Sequence, residues 1–189
     1  MRIPGRAALT ACTLALAAVL LAACTPAHSD ADPTKTPKPT PTPVFTSDAD
    51  ALAAATTVYT QFVRVSDEID HDGGANPERI TPYVNAAGLK HEIEAAKELA
   101  SEHARGYGFT TINNVILQSH EEANGVATVA IYACQDLTNV DLRDANGVSL
   151  VDDDRADFVA YVAELKSDSM GRLVVQSNKY WPGGGICKH

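Results

Sequence analysis

The groups in this chain with the spacing to do chemistry are an alternating acidic run, a triple aspartate, six histidines and four cysteines. The best-spaced run is Glu68-Ile69-Asp70-His71-Asp72-Gly73-Gly74. Acids at its first, third and fifth places and glycine at its sixth resemble the start of a calcium loop, where alternate side chains supply oxygen and glycine permits the turn. The remainder departs from that pattern. The first ligand is Glu, the eighth position is Ala75, and the twelfth is Arg79, where a bidentate Glu is needed. The stretch reads as a solvated acidic loop. Asp152-Asp153-Asp154, beside Arg155, is another charge run in a connection between strands. Carboxylates that share acid–base work need surroundings that push their pKa values apart, and adjacent exposed aspartates have none. His28 and His189 belong to the ends of the chain, His91 and His103 to a charged helical stretch, and His120 to the border of a turn. No Gly-x-Ser-x-Gly elbow occurs. Gly183-Gly184-Gly185 lacks the following helix and the lysine of a phosphate cradle. The sequence therefore names no catalytic residue, no metal ligand and no cofactor.

A different set of candidates is aromatic: Tyr59, Phe62, Tyr83, Tyr132, Tyr161 and Trp181. If a curved sheet wraps a helix, some of them line a concave pocket of the kind that holds a small apolar ligand. Otherwise they fill the core, and period-two alternation does not say which face is hollow.

The elements that must position these residues come in two blocks. Ser47 or Asp48 can cap a helix whose apolar positions are Leu52, Ala55, Val58/Tyr59, Phe62 and Val65, stopping before Gly73-Gly74. Pro77 suits the first turn of a short helix with Ile80 and Tyr83. A third helix is expected over 86–104, with Gly106 as its stop. Strands follow at 109–119 and 126–135, joined through Asn124-Gly125, whose residue types favour positive φ in a hairpin turn. Two more hairpins are expected, pairing 140–143 with 148–151 and 157–166 with 172–181. Leading helices and successive hairpins describe an α+β domain over 48–189, with N-terminal helices packed on a curved antiparallel sheet.

The start of the chain supplies an address. Arg2 and Arg6 precede a 17-residue run, Ala7 to Ala23, without a charge, and the run ends in Leu21-Ala22-Ala23-Cys24. A basic flank, a short apolar core and small residues describe a signal peptide over 1–23. It falls short of the about 20 apolar residues that a membrane span requires. The Leu-Ala-Ala-Cys ending resembles the lipobox of bacterial lipoproteins. That resemblance implies cleavage before Cys24 and a diacylglyceryl group on its thiol, which by itself anchors a protein stably to the membrane. With Cys12 removed in the signal and Cys24 lipidated, Cys134 and Cys187 remain and read as one disulfide of an exported protein. Closing that loop is worth ~4 kcal/mol in the chain-entropy model. Loss of Arg2 and Arg6 leaves 13 basic side chains against 24 acidic ones, taking the net charge from −9 to −11. Such a balance excludes nucleic acid as a partner. Residues 24–47 are rich in Thr, Pro, Asp, Ala and Lys, so they cannot bury enough apolar surface to offset ordering. They are expected to form a disordered tether that reaches ~70 Å at full stretch.

Tyr132-Ala133-Cys134-Gln135-Asp136-Leu137, Val140-Asp141-Leu142-Arg143-Asp144-Ala145-Asn146-Gly147 and the ending Trp181-Pro182 with Cys187 resemble secreted lipoproteins of high-GC Gram-positive bacteria. Helices followed by long antiparallel strands resemble the nuclear transport factor 2-like fold. The resemblance implies a cone-shaped domain, a disulfide between Cys134 and Cys187, and a place on the outer face of the cytoplasmic membrane. Its early strands, which lie between the first helices, are not legible here beyond a remnant around 81–87. The leading expectation is a non-enzymatic module of the cell envelope that binds a small apolar ligand or an envelope protein, with a homodimer as one arrangement. The alternative is an enzyme, a hydrolase or isomerase, using the cone interior. Cys24→Ala should release the protein into the medium or stall its processing. Processed, membrane-bound protein in a cell fractionation would reject the lipobox.

Overall fold

Ser47 opens the first helix. Its Oγ accepts from Asp50 N at 3.1 Å, and Asp48 and Asp50 in the first turn complement the positive end of the helix dipole. In the computed structural model, which describes residues 42–183 and 185–187, this helix, α1, runs Asp48–His71. Its buried positions Ala51, Ala55, Tyr59, Phe62, Val63 and Ile69 repeat at helical spacing and form one apolar stripe. It ends because Gly73 and Gly74 both take positive φ. At Gly74 a Cβ would lie 2.2 Å from Ala96 O, so no side chain fits there. A 3-10 turn follows at Pro77–Tyr83, then α2 at Ala86–Ser101, capped by Asn85 Oδ1 accepting from Gly88 N at 2.7 Å. The expected signal peptide, the expected lipidation site Cys24 and the expected tether as far as residue 41 lie outside the described residues.

The strands are β1 Arg105–Tyr107, β2 Thr111–Ala123, β3 Val126–Asp136, β4 Asp141–Arg143, β5 Phe158–Ser167 and β6 Leu173–Tyr180. Four of them form an antiparallel sheet in the order β2-β3-β5-β6. Asn124 and Gly125, both at positive φ, make the β2–β3 turn as expected. Central β3 alternates cleanly. Ala127, Val129, Ile131, Ala133 and Gln135 are buried on the face that meets α1, alongside Ala163 and Leu165 of β5 and Leu173 and Val175 of β6. Register shifts in β2 and β6 mark bulges, which bend the strands. The 81–87 stretch contributes a single bridge, Val84 to Val175.

Three features differ from the sequence-based expectation. The hairpin across 140–151 is made only in short form, through Asp144 N to Val148 O, Leu150 N to Leu142 O and the bridge Arg143↔Ser149, and β4 also pairs along its other edge with β1 (Gly106↔Leu142). Asp144 Oδ1 accepts from both Asn146 N and Val148 N, closing a tight turn, and the exposed Val148 and Leu150 have no core to face. The third helix ends at Ser101, not 104. The end of the expected tether is also held. Val44 N and Phe45 N donate to the Glu122 carboxylate at 2.8 and 2.9 Å, and the Phe45 ring packs on the core. One aromatic side chain supplies the apolar surface that the Thr/Pro composition lacks.

On the opposite face of the sheet a second cluster joins Cys134, Ala160 and Ile186, packed by Tyr132, Phe158 and Trp181. Cys134 and Cys187 sulfurs are at bonding distance, 2.04 Å, with Cα atoms 5.3 Å apart. Asn114 Nδ2 donates to Ile186 O at 2.6 Å, a further tie on this segment. Among the described residues no helix is long and apolar enough to cross a membrane. Cys134→Ser should cost about 2–5 kcal/mol of stability. An unchanged melting temperature under non-reducing conditions would remove the bond's structural role.

Candidate functional site

Tyr59 lies fully buried beneath the sheet, and its hydroxyl needs partners. It donates to Asn178 Oδ1 of β6 and accepts from Gln135 Nε2 of β3, each at 3.0 Å. Burial also raises the phenol's pKa, so it stays neutral. This network is the polar edge of an otherwise apolar core, and hollow space begins there. A half-open depression of about 170 Å³, named the inner chamber because Gln135 and Asn178 of this network line it, is also lined by Phe62, Val63, Ser66, Asp67, Glu92 and Thr110. An outer chamber of about 310 Å³ meets it at Phe62, Glu92 and Asn178, between α2 and β6. Val84 and Val175 give the outer chamber an apolar wall, and His91 and Lys179 also line it.

The inner chamber's acids are differently engaged. Both Asp67 oxygens are taken by Thr110, whose N and Oγ1 donate at 2.8 and 3.0 Å. Among the described residues Glu92 receives only Ser66 Oγ, at 3.3 Å on Oε2. Burial raises the pKa of both carboxyls, and their hydrogen bonds oppose that shift. Asp70, one turn beyond Asp67 on α1, has its carboxyl pushed up to about 6 by burial, then by the charges of Asp67 and Glu92. No hydrogen bond to its carboxylate is found among the described residues.

A smaller cleft of about 130 Å³ lies across Asp67, between α1 and the β1–β4 ribbon, lined by Asp70, His71, Tyr107, Asp141 and Arg155. Several of its polar groups are committed: Asp141 accepts from Arg143 and Ser149, Arg155 Nη2 donates to Leu137 O and Val140 O, and His71 Nε2 contacts Gly108 O. The Asp70 carboxylate and the buried Arg155 Nε have no hydrogen-bond partner among the described residues. The cleft is less than half the volume of the outer chamber.

The structure separates the aromatic candidates. Phe62 lines both chambers, while Tyr59 and Tyr83 belong to the core that supports them. Tyr161 pairs with Ala133 on the inner face. Tyr132 and Trp181 stack on each other at 4.2 Å on the outer face, beside Cys134. The six therefore do not form one pocket. Tyr132 sits between the inward-facing Ile131 and Ala133, and a strand sends neighbours to opposite sides. The calcium-like run is also dispersed, with Glu68 bound by Arg64 and Asp72 by Arg79. Asp152, Asp153 and Asp154 stand exposed in a turn. His91 reaches the mouth of the outer chamber, and His120 lies between Asp48 and Glu122 at the strap.

Residue-type patterns alone did not single out Glu92, Gln135 or Asn178. A signal existed for Gln135, a polar residue at an inward position of the alternation Ala127, Val129, Ile131, Ala133. No such signal marked Glu92, one acid among several on α2.

No family model matches the chain, and no curated protein matches it significantly. Among solved structures, the intermembrane space region of the chloroplast protein ARC6 aligns with TM-score 0.50 at 14% identity, over 68% of this chain and 95% of that one. Aln2 from a Streptomyces species aligns at 0.41 and 17%, over 71% and 91%. A cyanobacterial iota-carbonic anhydrase complexed with bicarbonate aligns at 0.35 and 15%, over 76% and 96%. The first alignment shows a shared α+β architecture, and the other two add nothing to it.

The grouping of Asp67, Asp70 and Glu92 makes stability depend on pH. Asp70 keeps its proton up to about 6 when folded, against 3.8 ordinarily. Between those values the folded state binds more protons than the unfolded one, so stability falls as pH rises through the window. Asp70→Asn should therefore stabilise the domain at pH 7, by about 1–2 kcal/mol after allowance for solvent screening, and little at pH 4. Urea melts at the two pH values check this, and an equal effect at both would contradict it.

Proposed function

We propose that this protein is a lipid-anchored module of the outer face of the cytoplasmic membrane whose domain, a nuclear transport factor 2-like cone, binds a small molecule. The observation that carries the binding reading is the pair of joined chambers under α2. Together they reach the size of ordinary ligand pockets, upward of about 300 Å³. They combine an apolar wall of Phe62, Val84 and Val175 with a few converging polar groups, Glu92, Gln135 and Asn178. That mixture holds an apolar body and fixes one polar end. The anchor rests on the Leu21-Ala22-Ala23-Cys24 resemblance.

A second reading is favoured by one observation, the raised pKa of half-buried Glu92, which suits a general base. An enzyme would be a hydrolase or isomerase working in the inner chamber. Against it, the other acid there, Asp67, has both oxygens held by Thr110, so no free acid–base partner faces Glu92 across the chamber. Binding without turnover is the simpler use of the site.

Ala87 lines the outer chamber from an exposed position on α2, so Ala87→Trp should cover the mouth without disturbing the core. Full-length protein extracted from envelopes in mild detergent should carry a small-molecule adduct in native mass spectrometry, reduced at least about tenfold in the variant. No adduct on the wild type, or equal adducts on both, would overturn the assignment of these chambers as the binding site.

A further inference from the structure

The inner chamber is unusual in which hydrogen-bonding roles it leaves open. Gln135 is over nine-tenths buried, and its side-chain bond uses Nε2 alone, donated to Tyr59 Oη. Its Oε1 therefore has no protein donor among the described residues, and Gln135 lines the chamber. Glu92 engages the protein through Oε2, leaving Oε1 open. Asn178 Oδ1 is filled by Tyr59. The chamber thus offers two free acceptors, one of them charged, beside the donor Asn178 Nδ2, and its lining includes the acids Glu92 and Asp67 but no lysine, arginine or histidine. Neither oxygen is sealed in protein, where an acceptor without a donor is costly; both open onto the chamber, where a ligand's donors can reach them.

We infer that the ligand of these chambers is a small organic monocation, an ammonium whose N–H groups reach Glu92 Oε1 and Gln135 Oε1 while its apolar body lies along Phe62, Val84 and Val175. This inference rests on the binding reading above and names its ligand class. Two of an ammonium's three donors suffice for the two open acceptors, where a carboxylate would face the like charge of Glu92 and Asp67. The ring of Phe62 borders both chambers and adds a surface that attracts a cation. Lys179 and His91 line the outer chamber only. They set the ligand's polarity along the cavity, with the cationic end inward, and Lys179 disfavours a second cation at the outer end. A diamine is therefore a poorer ligand than a monoamine of the same length.

The test is calorimetric titration of full-length protein in mild detergent at pH 8 with methylamine, butylamine and benzylamine, the matched alcohols and carboxylates, and 1,4-diaminobutane. At least one monoamine should bind at least about tenfold tighter than its alcohol and carboxylate, and butylamine tighter than the diamine. Glu92→Gln should lose that preference without a fall in its melting temperature. Tighter binding of alcohols or carboxylates would overturn the cation inference and leave the binding reading standing. Amine binding that survives Glu92→Gln would place the cation elsewhere and also overturn it. Failure of every probe would overturn the inference. The binding reading would fall as well only if the envelope-extracted protein carried no adduct.

Discussion

A tyrosine hydroxyl carried into an apolar core costs about 1–3 kcal/mol unless it finds hydrogen-bond partners. Tyr59 brings one beneath the middle of the sheet at zero exposure. Its two partners come from different strands, Gln135 on β3 and Asn178 on β6, and are held from a single residue of α1. That requirement fixes the position of the helix along the sheet, because sliding α1 by one turn would strand all three groups. It also fixes where the apolar core stops. On one side of Tyr59 lie Ala51, Ala55, Val129 and Leu165, whose alanines let helix and sheet approach closely. On the other side the polar partners cannot be covered by aliphatic side chains, and the chambers open there.

The carboxylates beyond that boundary follow from the same geometry. Asp67 and Asp70 fall on the α1 face turned toward β1 and β2, and Glu92 comes from α2 beside Ser66. A fold selected for stability alone would pair these acids with cations or remove them. Here the cations near them are directed elsewhere: Arg64 to Glu68, Arg79 to Asp72, Arg155 to backbone carbonyls. Raised carboxyl pKa values in a cleft are a common mark of a functional site, though ion-pair networks produce them too. The absence of a paired cation for Glu92 and Asp70 among the described residues separates this grouping from such a network.

The elements were legible in the sequence where local signals agree. Ser47 with the Ala55, Tyr59, Phe62 spacing marked α1, and Asn124-Gly125 marked the central hairpin. The site was far less legible, for a physical reason. Gln135 and Glu92 line one chamber only because α2 packs against α1 and β6, and Glu92 on its own resembles any solvated helical acid. The aromatic set misled because residue type reports apolar surface, not the face on which it stands. Trp181 looks like a pocket residue until its stack on Tyr132 puts it with the disulfide. The 140–151 hairpin was legible in its Asp-Ala-Asn-Gly turn, but it stays short because its returning residues Val148 and Leu150 lack a buried face. The pairing of β4 with β1 had no local signal.

The ends of the sheet divide the remaining work. Glu122, at the β2–β3 turn, grips Val44 and Phe45, and His120 with Asp48 sits beside them. Gln135 lies at the far end of the same hairpin, eight residues from Ala127, a separation of roughly 27 Å at 3.4 Å per residue. A pull on the chain at Val44 is thus borne by the turn end of the hairpin. The chamber end is braced separately, by Tyr59 inside and by the Cys134–Cys187 link on the outer face one residue from Gln135. Cys134 is the strand neighbour of Gln135 and faces the other side of the sheet, so the link ties the C-terminal segment across the back of this end of β3 while the Tyr59 bond holds its inner face.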